Sequence, residues 1–204
     1  MSKLWNEDRI ISTIFKEIRD EGLEKLRFMD IGCGGGREIV RIAWTDKDAL
    51  CFGLDLSSEM IQRTLGLKKK IKLANLALIR GSALNLPFND SIFNCVLCSF
   101  LLMLFGDIEL RAAIAEIHRI LCKNGILFAI VFSPNDPSCL NRNWTDQETA
   151  SVSKLPIGFF TESQIRKLFE DFQVKSLLSF DYLDSSHGYP HTHNVWFLIA
   201  LKPG

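Results

Sequence analysis

The stretch Phe28-Met29-Asp30-Ile31-Gly32-Cys33-Gly34-Gly35-Gly36-Arg37-Glu38 constrains this chain more than any other. An apolar strand pattern ends at Ile31, a glycine loop follows, and a helix pattern opens by Glu38. Glycines remove side chains where backbone must turn sharply and lie against a ligand. The helix behind the loop aims its unpaired N–H groups at whatever occupies the loop. A dinucleotide fingerprint needs Gly-x-Gly-x-x-Gly. Counted from Gly32 the sixth position is Arg37, and counted from Gly34 it is Ile39, so neither frame fits. What stands here is Asp-x-Gly-x-Gly-x-Gly, with Asp30 at its head and Gly32, Gly34 and Gly36 behind it.

The flanking patterns alternate. Asp8 to Asp20 carries Ile10, Ile11, Ile14, Phe15 and Ile18 on one helical face. Strands are expected at Arg27–Ile31, Asp48–Asp55, Leu76–Arg80, Ile92–Cys98 and Ile126–Phe132. Between them lie helix patterns from Glu38 to Trp44, after the Ser57 N-cap, and from Asp107 to Leu121 with Asp107 as cap. Lys123-Asn124-Gly125 reads as a turn. Such alternation means a parallel sheet covered on both faces, with all strand C-termini on one ligand-binding edge. A helix capped by Thr161 runs to Phe172, and two strands follow at Gln173–Leu183 and Asn194–Leu201. Their short connection cannot hold a crossover helix, so they are antiparallel neighbours. The expected fold is α/β: one Rossmann-like, seven-stranded, mostly parallel sheet with an antiparallel last strand and helices on both faces.

This set of motifs resembles the class I S-adenosylmethionine (SAM) methyltransferases over about residues 25 to 202. Asp30, Gly32, Cys33, Gly34 and Gly36 match the family's first motif. The resemblance implies that Asp55, in Gly53-Leu54-Asp55-Leu56-Ser57, bonds the cofactor ribose hydroxyls, with Leu56 and Met60 beside the adenine. A carboxylate suits vicinal hydroxyls because it accepts without competing for donors. The family's Gly-Asp-Ala…Leu-Pro-Phe frame is here Gly81-Ser82-Ala83-Leu84-Asn85-Leu86-Pro87-Phe88. Ser82 replaces the acid that takes the adenine amino group and accepts more weakly, while Ala83 would offer its backbone N–H to the ring. The strand end Cys98-Ser99-Phe100 would face the methyl group. No Asn-Pro-Pro-Tyr-like tetrad stands there, which disfavours amide and adenine nitrogens as acceptors, and Asn94 stands where the family commonly has an acid. The run Phe100 to Phe105 suggests an apolar rim, loosely similar to tellurite- and thiol-methylating enzymes.

Asp184 to Trp196 holds three of the four histidines, His187, His191 and His193. This loop should hang over the ligand edge, with His191 and His193 on one face of an extended segment. They are the candidate catalytic residues, as a general base or to orient a substrate. Two imidazoles alone do not complete a metal site, so no metal ligand is assigned, and whether the His187/His191/His193 loop takes a metal or a substrate stays open. Cys95 and Cys98, three apart on a strand, point to opposite faces and cannot chelate one ion. His118 lies back from the ligand edge, where a structural role is the ordinary one. The run Lys68-Lys69-Lys70-Ile71-Lys72 reads as a solvated face. Tyr189, Trp144 and Trp5 are candidate pocket walls.

The chain's 204 residues suit one SAM-dependent methyltransferase domain over 1–204, with an N-terminal helical segment at 1–24 and a lid or substrate loop at 133–160. Zero net charge gives no general attraction to nucleic acid or acidic lipid. The longest apolar run, Val96 to Phe105, is too short to span a membrane. The N-terminus shows no apolar h-region, and six cysteines in mostly apolar patterns suit a reducing cytoplasm. The activity the resemblance implies is methyl transfer from SAM to a small-molecule acceptor through sulfur, oxygen or nitrogen. Three alternatives stay open: a non-catalytic SAM-binding adaptor or sensor, an NAD-dependent oxidoreductase, and a macromolecule methyltransferase needing a partner subunit. The oligomeric state is left open.

Overall fold

One eight-stranded sheet organises the computed structural model, which describes residues 4–140, 157–184 and 190–204. In chain order the strands are β1 (Leu4–Trp5), β2 (Arg27–Ile31), β3 (Leu50–Asp55), β4 (Leu76–Arg80), β5 (Phe93–Ser99), β6 (Leu121–Phe132), β7 (Gln173–Asp184) and β8 (His191–Leu201). The spatial order is β1-β7-β8-β6-β5-β2-β3-β4. Strands β2 to β6 pair in parallel, and β8 runs antiparallel between β6 and β7. The expected seven strands are present. The eighth, β1, pairs in parallel with β7. Two residues show no periodicity; what holds them is Trp5, buried and stacked on Phe180 at 4.1 Å. Trp5 is therefore core and walls no pocket, which corrects the expectation for that residue.

The helices are α1 (Glu7–Asp20), α2 (Arg37–Thr45), α3 (Ser58–Lys70), α4 (Asp107–Ile120), α5 (Pro137–Leu140) and α6 (Glu162–Leu168). In α1, Ile10, Ile11, Ile14 and Ile18 form the buried stripe, and the Asn6 side chain caps the first turn by accepting from Arg9 N. Helices α1, α2 and α3 bury Ile14, Ile39 and Ile61 against one sheet face together with Phe28, Phe128 and Phe197. Helices α4 and α6 bury Ile117 and Ile165 against the other, with Met29, Val96 and Leu127. Truncating a fully buried residue such as Ile14 to Ala would cost about 2–5 kcal/mol.

Several boundaries differ from the sequence expectation. Gly106, not Asp107, is the N-cap of α4, because its backbone is extended there while Asp107 is already helical. Strand β6 starts at Leu121 and absorbs the expected turn, with Asn124 at a φ of 59°. Helix α6 stops at Leu168, four residues short of Phe172, although its Thr161–Gln164 capping box is present. Helix α5 interrupts the stretch after Ser133 that reads as irregular in sequence. His191 and His193 belong to β8 and not to a loop, since they continue the ladder against Asp184 and Tyr182. Residues 141–156 and 185–189, which include Trp144, His187 and Tyr189, lie outside the described residues.

Candidate active site

The parallel strands end on one edge, and β2 lies between β3 and β5 there. Helix α2 follows β2 toward one side of the sheet and α4 follows β5 toward the other, which opens a crevice above β2. The glycine loop fills the floor of this crevice. Gly36 has a φ of 81°, and a Cβ there would sit 2.3 Å from Thr64 Cγ2, so α3 packs directly on the loop backbone. Thr64 Oγ1 donates to Gly34 O at 3.0 Å and clamps it from the same side. Gly34 has a φ of 50°, and its Cβ position meets nothing within 4 Å. One glycine thus serves close packing, and the other leaves open backbone.

Asp55 ends β3 and fastens the crevice. Its Oδ2 accepts from Gly34 N at 2.8 Å and its Oδ1 from Ser57 N at 2.8 Å. Each oxygen keeps a second lone pair. Beside it Leu56 is 68% exposed, an apolar side chain presented to solvent at the crevice rim. Ser57 caps α3 by accepting from Met60 N, as its sequence position predicts. Across the crevice Ser82 Oγ accepts from Leu84 N at 3.2 Å, within a turn closed by a Ser82–Asn85 bridge, and the Ala83 side chain is buried.

Asp30 is 1% exposed, and its Oδ2 has no hydrogen-bond partner among the described residues. Burial first, then repulsion from Glu38 and Asp55, pushes its carboxyl well above the usual carboxylate range. A buried carboxylate with an idle oxygen is costly unless a cation or donor meets it. Ser99 Oγ, at the end of β5, is also buried without a partner among the described residues. The Cys33 and Cys98 side chains turn into the core, and burial pushes both thiols up, away from nucleophile chemistry. At these two positions only the backbone is available to a ligand. Cys95 and Cys98 do point into opposite core layers.

The other half of the edge is aromatic. Phe100 follows β5 in a left-handed conformation, φ 54°, uncommon for a bulky residue. It packs on Phe132 at 5.6 Å and on Tyr182 at 5.4 Å. Phe132 stacks on Phe159 at 6.0 Å and on the His193 ring at 4.5 Å. Phe159 is held because Gly158 N donates to Met103 O, Phe160 N to Phe132 O, and Trp196 Nε1 to Phe160 O.

The two candidate catalytic histidines are brought together, with Nε2 to Nε2 at 3.0 Å. His193 is buried, and its Nδ1 lies 3.0 Å from Asp136 Oδ2. Asp136 is fully buried and also accepts from Asn194 N, Ser138 N and the Ser138 hydroxyl. Burial pushes its carboxyl up, but the hydrogen bonds from His193 and Ser138 outweigh that and hold it below its ordinary range. Arg37, the first residue of α2, joins this cluster to the glycine loop: its guanidinium lies 3.4 Å from Tyr182 Oη and 3.6 Å from an Asp184 oxygen. Sequence reasoning assigned no role to Arg37, Asp136 or Tyr182. No local spacing marks them, because each meets the site through a distant segment. His118 packs edge-on to Phe172 at 5.1 Å, away from this edge.

A family model described as a methyltransferase domain matches residues 28–125. The uncharacterized methyltransferase YcgJ of Bacillus subtilis is 30% identical over 112 residues, 54% of this chain and 43% of that protein. The demethylmenaquinone methyltransferase of Staphylococcus epidermidis is 36% identical over 78 residues, 38% of this chain and 31% of that protein. The matched stretch thus spans less than half the length of either curated relative. In fold, the chain is similar to a SAM-dependent methyltransferase of Methanosarcina mazei, with a TM-score of 0.75 at 20% identity, covering 92% of this chain and 97% of that one. The matched segment contains the whole crevice, from the glycine loop through Asp55 to Ser99, so this crevice is similar in sequence to a methyltransferase domain and the chain shares the fold of the SAM-dependent methyltransferases.

Proposed function

We propose that this protein transfers a methyl group from SAM to a small-molecule acceptor. The observation that carries the reading is the pairing of an idle buried carboxylate, Asp30, with the open Gly34 backbone and the Asp55 carboxylate in one crevice. Each of the three suits a different part of the cofactor. Asp30 Oδ2 would meet its ammonium. The remaining lone pairs of Asp55 would accept from the ribose hydroxyls. Exposed Leu56 and half-buried Met60 would lie against the adenine, with Ser82 and the Ala83 N–H at its edge.

SAM supplies an activated methyl on a sulfonium, so the chain's contribution is alignment and exclusion of water. Ser99 and Phe100, at the end of β5, would bound the transfer position. Phe132, Phe159 and Phe100 support an apolar acceptor, a reading favoured by the similarity to demethylmenaquinone methyltransferases. Proton removal from the acceptor would fall to the His191–His193–Asp136 set.

The test is calorimetric titration with SAM and S-adenosylhomocysteine, with NADH as control, followed by an acceptor screen across quinols, thiols and phenols. Binding of both adenosyl ligands without NADH binding, then turnover, is the expected result. Tight SAM binding with no turnover on any acceptor would support the adaptor or sensor reading instead. Absence of SAM binding would end the proposal.

A further inference from the structure

The hairpin of β7 and β8 brings together three ligand-bearing side chains that local sequence spacing does not connect. His191 and His193 are two apart on β8 and share a sheet face. Asp184 is the direct cross-strand neighbour of His191 in the β7–β8 ladder, so its side chain stands on that same face. One ligand atom from each of the three falls within 4.8 Å of the others. The two imidazole Nε2 atoms are 3.0 Å apart. In a tetrahedral site with bonds of about 2.0–2.1 Å, ligand atoms lie roughly 3.3 Å from one another. The two histidines already approach that spacing, and an Asp184 oxygen lies within 4.8 Å of both.

Asp136 supplies the second shell. It is fully buried and accepts from four donors, which leaves it no freedom to turn. With Nδ1 engaged by this carboxylate, the His193 ring turns its Nε2 toward His191. That is the orientation a metal-ligating imidazole needs, set by the carboxylate partner such ligands commonly have. Phe132 stacks on the His193 ring and holds it in plane.

We propose that Asp184, His191 and His193 bind a divalent transition ion of the zinc class. Two imidazoles and one carboxylate make a borderline donor set suited to zinc, and three protein ligands leave a coordination position for water or the acceptor. Metal binding itself does not depend on the methyltransferase reading. If both hold, coordination would lower the acceptor's pKa at the place where a free base would otherwise be needed. Arg37, 3.6 Å from an Asp184 oxygen, ties the ion's neighbourhood to the first turn after the glycine loop.

The test uses the full chain after chelator treatment. Zinc is titrated in competition with a chromophoric chelator, and cobalt(II) is added separately to read its ligand-field absorption. One equivalent of zinc and a tetrahedral or five-coordinate cobalt spectrum are expected. His191→Ala and Asp184→Ala should abolish both signals, and Asp136→Asn should weaken zinc binding roughly 10–100-fold. His118→Ala, remote from the cluster, should change nothing. Far-UV circular dichroism and SAM titration of each variant separate loss of the site from loss of the fold. Stoichiometric zinc binding that survives both His191→Ala and Asp184→Ala overturns the proposal. So does the absence of zinc and cobalt binding in a folded, SAM-binding wild-type chain.

Discussion

Gly34 and Asp55 are 21 residues apart in sequence, yet the Gly34 amide donates to the Asp55 carboxylate at 2.8 Å. This bond locks the glycine loop to the end of the neighbouring strand through the protein's own groups. The other oxygen of the same carboxylate holds the start of α3 through Ser57 N. Asp55 therefore preorganises both walls of the crevice.

Asp55→Ala removes both internal bonds and, in the proposed cofactor site, an acceptor for the ribose. Hydrogen bonds to a charged group contribute about 1.5–3 kcal/mol each, so two of them predict a loss of SAM affinity of at least about a hundredfold. Titration calorimetry reads this directly. Unchanged affinity would remove Asp55 from the cofactor site.

The buried Asp30 predicts a pH dependence with a definite sign. Its carboxyl is raised in the folded protein, by burial first and then by Glu38 and Asp55. The fold thus holds that proton more tightly than the unfolded chain does. The associated stability is fully present below the ordinary carboxylate pKa of about 3.9 and is lost as pH rises through the raised folded value. The steepest slope is about 1.4 kcal/mol per pH unit. Asp30→Asn should lack this slope, be more stable than the wild type above that window, and bind SAM more weakly. Urea unfolding of both proteins across pH checks it, and parallel curves would contradict the assignment.

The two glycines should separate stability from binding. Gly36→Ala combines a left-handed backbone, roughly 1–2 kcal/mol, with overlap on Thr64, roughly 1–3 kcal/mol. A stability loss of about 2–5 kcal/mol is expected. Gly34→Ala meets open space and should cost only about 1–2 kcal/mol, yet place a methyl on the ligand side of the loop. Thermal unfolding should rank Gly36→Ala as the worse fold. SAM affinity, measured below both melting temperatures, should fall for Gly34→Ala beyond its stability change.

Trp196 and Phe160 tether the aromatic half of the edge, where the acceptor is proposed to sit. Trp196→Phe keeps an aromatic ring, smaller than the indole, but loses the Nε1 bond to Phe160 O, worth about 1 kcal/mol. Hydrogen exchange at the Gly158 and Phe160 amides should quicken by about fivefold. The acceptor KM should rise while SAM affinity stays unchanged. Exchange rates equal to wild type would show that the tether does not hold this segment.

Much of this architecture is legible in the chain itself. The isoleucine stripe of α1, the apolar runs of β2 to β6 and the acid-glycine loop follow short-range rules of period, cap and turn. Each can be read within one element because the element's own geometry sets which residues are buried. The reversed last strand follows too, from a connection too short for a crossover. Asp55 is visible because it ends a strand next to a capped helix.

Tertiary structure decides what no local window contains. Strand β1 exists because Trp5 finds Phe180. Cys33 and Cys98 turn inward because the sheet is covered on both faces. Asp136 finds His193 across 57 residues, and Asp184 faces His191 only once the hairpin register is set. Arg37 reaches Tyr182 across 145 residues. Residue type and spacing determine the backbone scaffold, because that scaffold is built from local periodicity. Which charges and imidazoles share one volume depends on strand order and register, and these emerge only when the sheet closes its core.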